Sequence, residues 1–387
     1  MRILIVSHHI GGNASGIVAE RFAAEMAKYN EVDLCTYDYR PCSNIEYRNL
    51  KQLKYPLCHQ GLYRRYKKLG MILFHTDIID ELKKKKTVLS GRQYDIVLGI
   101  CYGNSFFGVI AGLFASTYYK CKMACYLLDP IPAPIGWSKD NIYRRRLQSF
   151  ITKKLSRADY IASSNPQMLA YQMRLFDFPV ALGSETIYTP CNYDRVRNIP
   201  YKPNGNIFSF VYTGNIYGLR SARHIVKAFG LLASEYDNVE LIFIGNADLD
   251  DCDMEPFDFS FQTRIRIIPY ASDLMAYYEI AGAFIDIDAE LPGDVFLSSK
   301  IVNYLTINRP IICETGQGSP SRLLFGNIPS IIQCDHNPEE IYHAMKEVFH
   351  AEQRYDFQDR MAVIRKLCVA NQARLLHESL QRLTDSK

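Results

Sequence analysis

The sequence predicts an α/β protein made of two Rossmann-like αβα lobes, each with a parallel sheet. Short apolar runs that suit buried strands alternate with stretches of helical apolar spacing, which is typical of parallel sheets covered by helices. The length of 387 residues fits two domains of roughly 100 to 200 residues each. A proline-bearing stretch at 188–206, with few periodic apolar positions, separates two such alternating series.

The first series starts at the N-terminus. Residues 3–7 form an apolar strand-like run, a loop with Gly11 and Gly12 follows, and 16–29 has helical spacing. The later elements expected here are strands at 32–37, 94–100, 123–128 and 160–163 and helices at 104–117 and 141–156. We predict that residues 1–190 form the first lobe and that 191–206 form a linker.

The second series also begins with a strand. Its expected strands are 207–212, 239–244, 265–268, 283–287, 310–313 and 330–333, and its expected helices are 221–234, 272–280 and 299–307. The tail is predicted to be helical over 338–350 and 356–383. We assign 207–370 to the second lobe and expect 371–387 to pack back on the first.

Composition excludes several classes of protein. Hydrophobic residues are 48% and charged residues 22% of the chain, close to a soluble globular average. No apolar run approaches the ~20 residues of a membrane span, and the N-terminus lacks a secretory signal. Eleven cysteines without a CxxC pair suit reduced thiols rather than a disulfide frame or a zinc site. These observations favour a cytoplasmic location.

Charge is distributed unevenly. The first 200 residues carry 28 Lys and Arg against 16 Asp and Glu, a net +12, whereas the remainder carry 17 against 25, a net −8. The basic clusters of the first lobe are Lys51, Lys54, Arg64, Arg65, Lys67 and Lys68, then 83–86, then 144–146 with Lys153 and Lys154. Interleaved apolar residues favour a peripheral contact with an anionic membrane surface or a polyanionic acceptor over nucleic acid. Solvated helix faces are the plainer alternative.

Two loops that follow strands of the second lobe carry candidate anion-binding residues. Gly214 lies in a turn before a helix, where backbone amides can approach a phosphate, and Arg220 can neutralise a diphosphate. Ser298 and Ser299 suit a helix N-cap beside free amides, and Lys300 adds a charge. Ligands bind beyond the carboxyl ends of strands in open parallel sheets, so we expect both loops to serve one site.

These motifs resemble the glycosyl transferases group 1 family, whose members are retaining enzymes of the two-lobe GT-B fold. Ser298-Ser299-Lys300 and the strand at 309–312 match the family's donor-binding helix and the strand after it. In the same order, 212–215 with Arg220 is similar to its phosphate turn and 241–245 to its central strand ending in glycine. The stretch 267–270, which ends at Tyr270, together with 273–274 is similar to its nucleobase loop. The resemblance spans the second lobe and implies two parallel sheets facing a central cleft.

The chain departs from this family at two positions. The helix glutamate that binds the nucleotide ribose in the family falls on Asn303, and the arginine of the phosphate turn falls on Asn215. Glu290 is the nearest carboxylate to the other family glutamate, although its spacing to Asn303 is too long. These two departures leave open either a donor site for an unusual nucleotide or a site that has lost its activity.

The first lobe offers two further candidates. Gly12 lies in a loop similar to the family's glycine-rich loop that faces the donor phosphate or the acceptor. Asp129, in a proline-bearing loop after a strand, matches a family aspartate or histidine that orients a hydroxyl; a turn aspartate is the alternative. GxGxxG is absent, which disfavours a nicotinamide cofactor. Asp286-x-Asp288 imitates a metal-chelating motif, but its position at a strand end of a two-lobe chain leads us to expect no metal.

The resemblance implies a glycosyltransferase of the hexosyltransferase type. It would move a sugar from a nucleotide-diphosphate sugar to a hydroxyl acceptor with retention and without a cofactor, and Asp129, Arg220 and Lys300 would serve catalysis. A lipid-linked saccharide of cell-surface polysaccharide synthesis, at the inner membrane face, is the expected acceptor. The alternatives are a GT-B-type nucleotide-sugar epimerase and a non-catalytic binding subunit, which Asn215 and Asn303 favour.

Overall fold

A computed structural model describes the chain in two units. The described residues are 1–41, 50–52, 92–103, 106–176, 183–247, 249, 252, 259–269, 271, 273–351 and 355–385. The first unit is Met1–Pro190 with Val369–Lys387, and the second is Cys191–Cys368. Of the predicted basic clusters, the residues in 53–91 lie outside the described part of the chain.

The first unit contains a seven-stranded parallel sheet in the order β5-β3-β1-β6-β7-β8-β9. Its strands are β1 (Arg2–Ser7), β3 (Glu31–Thr36), β5 (Leu50–Gln52), β6 (Ile96–Cys101), β7 (Lys122–Leu127), β8 (Tyr160–Ser163) and β9 (Gly183–Thr186). A small parallel pair joins β2 (His9–Gly11) to β4 (Asp38–Arg40). The helices described here are α1 (Ala14–Met26), α2 (Phe107–Tyr119), α3 (Ile142–Leu155) and α4 (Pro166–Phe176).

Apolar side chains cover both faces of this sheet. In β1, Leu4 and Val6 belong to the same buried cluster as residues of α2 and α3, whereas Ile3 and Ile5 pack with α1. Side chains alternate between the two faces of a strand, so a strand buried on both faces is apolar at every position. This explains why the sequence reveals β1 as a continuous apolar run.

The second unit contains a six-stranded parallel sheet in the order β12-β11-β10-β13-β14-β15. Its strands are β10 (Phe208–Thr213), β11 (Val239–Ile244), β12 (Ile265–Ile268), β13 (Ala281–Ile287), β14 (Ile311–Glu314) and β15 (Ile331–Cys334). Its described helices are α5 (Arg223–Glu235), α6 (Phe259–Thr263), α7 (Met275–Ile280), α8 (Ser299–Tyr304), α9 (Pro320–Phe325), α10 (Pro338–His350) and α11 (Met361–Leu367), with a 3-10 turn at Phe357–Arg360.

The predicted linker differs from the structure, because 191–206 belongs to the second unit. The Arg197 amide donates to Thr306 O at 2.7 Å, and the Ile199 amide donates to Asn308 Oδ1 at 2.8 Å. Lys202 N also donates to Glu279 O at 2.8 Å. These backbone bonds fix the segment to the second sheet's surroundings, and its proline content alone does not make it a free connector.

The C-terminal tail is not one helix. Cys368 has an extended backbone with ψ 147°, and it separates α11 from α12 (Val369–Asp385). Helix α12 packs on the first unit, where Leu376 and Leu380 share a buried cluster with Phe22 of α1. None of the helices in the described part of the chain combines the length and the apolar character that a bilayer crossing requires.

Candidate functional site

The candidate site lies at the carboxyl edge of the second sheet. The loop after β10 contains Gly214 and Arg220, and the loop after the neighbouring strand β13 leads to Ser298 and Lys300. Because the strands are parallel, both loops emerge at the same edge. The structure therefore brings together residues that are about 80 positions apart in the chain.

Lys300 crosses the turn at Gly214. Gly214 has φ +121°, and a Cβ at this position would come within 2.5 Å of Lys300 Cε. The Lys300 ammonium lies 5.3 Å from the centre of the Tyr212 ring. The backbone conformation thus favours a glycine here, and the absence of a Cβ lets the lysine side chain pass close over the turn.

Two buried aspartates, Asp286 and Asp288, interact with the charges of Arg220 and Lys300. Ser298, the N-cap of α8, donates from Oγ to Asp286 Oδ1 at 2.6 Å, and Ser319 Oγ donates to Asp288 Oδ2 at 2.5 Å. The second oxygen of each carboxylate, Asp286 Oδ2 and Asp288 Oδ1, is buried without a hydrogen-bond partner in the described structure. Buried polar atoms are nearly always satisfied, so these oxygens mark the edge as a candidate site.

The charges of this group alter one another. Burial raises the pKa of Asp286, and burial together with the Asp286 charge raises the pKa of Asp288 to about 7. Burial and the charge of Arg220 lower the pKa of Lys300 to about 8. Burial lowers the pKa of Arg220, but the nearby Asp288 and Asp286 charges outweigh it, and the pKa is raised. Arg220 and Lys300 are thus close enough to repel one another.

The other predicted donor-side residues are placed differently. Asn215 is exposed, and its Oδ1 accepts a hydrogen bond from Asn246 N at 2.9 Å. Ser299 and Asn303 are exposed on α8. Glu290 is exposed and pairs with Arg223 rather than with the cations named above. Tyr270 lies outside the described residues.

Sequence reasoning missed the part that Asp286 and Asp288 play. The signal was present, because residues two apart at the end of a strand point to the same side. The sequence pattern alone, however, resembles a metal-chelating motif rather than a partner for cations. The burial of the pair beside Arg220 and Lys300 depends on the folded sheet, and the sequence does not report it.

The first unit places its candidates at the carboxyl ends of its own strands. Gly12 is exposed with φ +73°, next to Gly11 with φ +69°. Asp129 is half-buried and accepts a hydrogen bond at Oδ2 from Gly103 N at 2.8 Å. The His9 ring lies over His8, with ring centres 4.4 Å apart, and its Nδ1 lies 3.1 Å from Asp38 Oδ2.

A second polar cluster of the second unit was not anticipated. His224 Nδ1 lies 2.7 Å and His336 Nδ1 2.8 Å from Glu314 Oε1. Glu314 is buried, and burial lowers the pKa of His336, but its hydrogen bond with Glu314 and the charge of Glu314 outweigh this and raise the pKa. The three residues are far apart in sequence, so no spacing motif could reveal them.

Comparisons with known proteins identify the fold. No family model matches the chain, and no curated protein sequence matches it. A UDP-forming trehalose-phosphate synthase from Burkholderia xenovorans is similar over 99% of both chains, with 11% identity and a TM-score of 0.69. A sucrose-phosphate synthase from Thermosynechococcus elongatus is similar over 100% of both chains, with 13% identity and a TM-score of 0.65.

The lipopolysaccharide outer core galactosyltransferase WaaB is similar over 99% of both chains, with 11% identity and a TM-score of 0.61. These structures are GT-B glycosyltransferases, and the present chain has their α/β architecture of two parallel sheets. The predicted fold class is confirmed, and so is the resemblance at the level of fold. At this identity the likeness concerns the fold alone, and function must be argued from the site.

Proposed function

We propose that the protein transfers a sugar from a nucleotide-diphosphate sugar to a hydroxyl acceptor, with retention at the anomeric carbon. One observation carries this proposal: Lys300 passes over Gly214 at the carboxyl edge of the second sheet, and burial together with the nearby charge of Arg220 lowers its pKa. Two cations that repel each other gain most from an anion that binds between them. A diphosphate is the anion that fits a glycine turn beside such a pair.

The proposed chemistry needs charge stabilisation above all. When the bond to the sugar breaks, negative charge builds on the leaving diphosphate, and Arg220 and Lys300 are already in place to neutralise it. Before the donor binds, Asp286 and Asp288 hold the two cations at the edge. No protein nucleophile is required, and Asp129 of the first unit is the residue we propose to orient a hydroxyl of the acceptor or the donor.

Donor binding is testable by thermal shift with a panel of nucleoside diphosphates and nucleotide sugars. We expect one nucleotide to raise the melting temperature of the wild type and of Lys227→Ala, a control at an exposed lysine on α5. Arg220→Ala should fold, with a ligand-free melting temperature at or below that of the wild type because Asp286 and Asp288 lose a countercharge, and it should lose the shift. Absence of any shift in the wild type would contradict the proposal and favour a binding subunit for other ligands.

Product analysis separates transfer from the alternatives. A transferase releases nucleoside diphosphate only when an acceptor is present, and NMR of the product reports the anomeric configuration. An epimerase converts the nucleotide sugar with no acceptor. Donor binding without either product would favour a non-catalytic subunit, as the departures at Asn215 and Asn303 suggest.

We further propose that the acceptor is a lipid-linked saccharide at the cytoplasmic face of an anionic membrane. A described segment of the first unit supports this: Ile135 is 60% and Ile142 74% exposed, next to the exposed Arg145 and Arg146. Arg144 fixes this segment, because its guanidinium donates to Tyr171 Oη at 3.0 Å. Apolar side chains beside cations suit the interface of an anionic bilayer.

Vesicle flotation tests this surface. We expect the wild type to float with vesicles containing phosphatidylglycerol and to stay unbound with phosphatidylcholine alone. Ile142→Ser combined with Ile135→Ser should reduce flotation several-fold, since each loses an exposed apolar anchor. Leu323→Ser is the control, because Leu323 is 62% exposed but belongs to the second unit. Equal flotation with both lipids would contradict the membrane proposal without affecting the donor site.

A further inference from the structure

Two histidines and a glutamate of the second unit converge from three separate segments. His224 lies in the first turn of α5, Glu314 ends β14, and His336 follows β15. One potential ligand atom from each residue lies within 4.8 Å of the other two. The carboxyl edge of the sheet thus gathers a histidine, a carboxylate and a second histidine beside the candidate donor site.

The countercharges that the described structure offers Glu314 are two histidines, which carry a positive charge only when they are protonated. The Glu314 side chain is 2% exposed, and its ion-pair partners in the described structure are the rings of His224 and His336. Neither nearby arginine pairs with Glu314 in the described structure: Arg223 pairs with Glu290 and donates from Nε to His224 Nε2 at 3.2 Å, and Arg322 lies 2.6 Å from Asp335. A buried carboxylate needs compensation by positive charge or by a metal ion.

Two buried atoms of the cluster also lack hydrogen-bond partners in the described structure. They are Glu314 Oε2 and His336 Nε2. Each imidazole directs its Nδ1 at the same carboxylate oxygen, at 2.7 and 2.8 Å. A cation in place of the protons between the two Nδ1 atoms and the carboxylate would be bound by both rings and by Glu314, whose Oε2 would be free to serve as a further ligand atom.

We propose that His224, Glu314 and His336 form a binding site for one divalent transition-metal ion of the zinc type. Two imidazoles and one carboxylate are a donor set that suits Zn²⁺ or Co²⁺ better than Mg²⁺ or Ca²⁺, which prefer oxygen ligands throughout. Ligand bonds of about 2.0–2.2 Å in a tetrahedral site require the atoms to separate by roughly half an ångström. Three protein ligands leave one coordination position open to water or to a substrate oxygen.

The proposed metal site lies next to the candidate donor site but shares no residue with it. The Asp288 amide donates to Glu314 O at 2.9 Å, so the strand ends that carry the two clusters are directly hydrogen-bonded. None of Gly214, Arg220, Ser298 and Lys300 contributes a metal ligand. Metal binding and sugar transfer can therefore be tested separately, and the failure of one leaves the other standing.

Cobalt titration of the full chain, after treatment with a chelator and dialysis, tests the proposal. We expect one Co²⁺ per chain with visible ligand-field absorption, and displacement of Co²⁺ by Zn²⁺. Glu314→Gln and His336→Gln should weaken Co²⁺ binding by at least about tenfold, the lower end of what loss of even an outer partner of a metal ligand costs. His343→Gln, at an exposed histidine of α10 in the same unit, should bind as the wild type does.

Three results would overturn the site. These are no stoichiometric Co²⁺ binding by the wild type, equal binding by Glu314→Gln and the wild type, or a thiolate-to-cobalt charge-transfer band, which would place the ion on cysteines. Thermal melts without metal show whether each variant folds. Should a buried variant not fold, His224→Gln decides, because that side chain is 17% exposed and tolerates substitution more readily; unchanged binding there would equally refute the proposal.

Discussion

The two units treat their buried carboxylates differently. In the first unit, Asp33 accepts a hydrogen bond from Tyr94 Oη at 2.6 Å and lies 3.5 Å from Arg92 Nη1. Glu25 in the same unit lies 2.7 Å from Lys28 Nζ and accepts from Tyr29 Oη at 3.2 Å. Both acids have a cation and a phenol as partners, so they are satisfied within the unit itself.

The second unit pairs its buried Glu240 with Ser209 and Arg266, but it leaves the buried acids at the carboxyl edge of its sheet partly unsatisfied. Asp286, Asp288 and Glu314 each retain one buried oxygen without a hydrogen-bond partner in the described structure. All three lie at or just beyond the carboxyl ends of neighbouring strands β13 and β14. Satisfied buried charges indicate a structural role, and unsatisfied ones at this edge indicate a place for ligands. Four predictions test that distinction.

The largest expected effect is on the free energy of unfolding, at Arg360, a buried cation of the second unit whose guanidinium nitrogens all donate hydrogen bonds. Arg360 is fully buried and donates to Ser330 Oγ, Ile307 O, Arg309 O and Ser330 O. Arg360→Met should lower the free energy of unfolding by about 3–5 kcal/mol, because it leaves these buried acceptors without a hydrogen-bond donor. Urea denaturation measures this change, and exposed Arg365→Met is the control. A loss below ~1 kcal/mol would show that satisfied buried charges are not structural here.

The next effect concerns catalysis and should leave stability intact. Lys300→Met removes a cation whose pKa is lowered by burial and by Arg220. We expect kcat/KM for sugar transfer to fall about 100- to 1000-fold, the range for losing one preorganised stabiliser of a developing anion. The melting temperature should stay at or above the wild-type value. Lys227→Met controls for charge on α5, and equal activity in both variants would contradict the donor assignment.

The sequence predicts the fold because of how parallel sheets are built. Strands such as β1 and β11 are buried on both faces, and each contains an unbroken apolar run, at 3–6 and 241–244. Strand β9 was missed because its residues are exposed or half-buried at the sheet edge, so it carries no apolar signal. The break at Cys368 was missed because its flanks keep helical apolar spacing, whereas its extended backbone and its bridge to Cys191 are visible only in the structure.

The candidate site is predictable only in part, for a related reason. Gly214, Arg220, Ser298 and Lys300 could be grouped because loops that follow parallel strands share one edge. Packing decides which side chains of these loops turn inward, and the sequence does not show packing. The sequence therefore predicts Glu290 as a site residue, whereas in the structure it is exposed and pairs with Arg223. Strand order, which the sequence does not state, brings distant polar residues of neighbouring strands together.

A smaller effect is expected in the first unit. Tyr94→Phe removes the hydroxyl that donates to the buried Asp33, so the free energy of unfolding should fall by about 1–3 kcal/mol. Tyr29→Phe is the matched control, since Tyr29 is 52% exposed and Glu25 keeps Lys28 as a partner. Urea denaturation should show a change below ~0.5 kcal/mol for this control. Equal losses in both variants would mean that the Asp33 pair is no more structural than a surface contact.

The smallest effect is the pH dependence of donor affinity. Asp288, with a pKa raised to about 7 by burial and by Asp286, gains negative charge as pH rises, and Lys300, with a pKa lowered to about 8, loses positive charge. Both changes weaken the electrostatic attraction between the site and a diphosphate. Affinity for the nucleotide sugar should therefore fall about tenfold, or ~1.4 kcal/mol, between pH 6 and pH 9.

The same shifts have a consequence for the stability of the ligand-free protein. The raised pKa of Asp288 gives stability that is complete below its unfolded value of 3.8 and is lost as pH rises through about 7. The lowered pKa of Lys300 gives stability that is present above 10.5 and is lost as pH falls through about 8. From these two groups, the second unit should be least stable between pH 7 and pH 8.

The variant Asp288→Asn separates the contributions of Asp288 and Lys300 to the pH dependence of donor affinity. Titration calorimetry across pH should show that the variant loses the decline in donor affinity near pH 7 and keeps the decline near pH 8, which belongs to Lys300. Asp237→Asn, at an exposed position of the same unit, should follow the wild-type curve. An unchanged curve for Asp288→Asn would mean that the charge of this acid does not affect donor binding. The unsatisfied oxygens of the second unit would then have to be explained by packing rather than by a ligand.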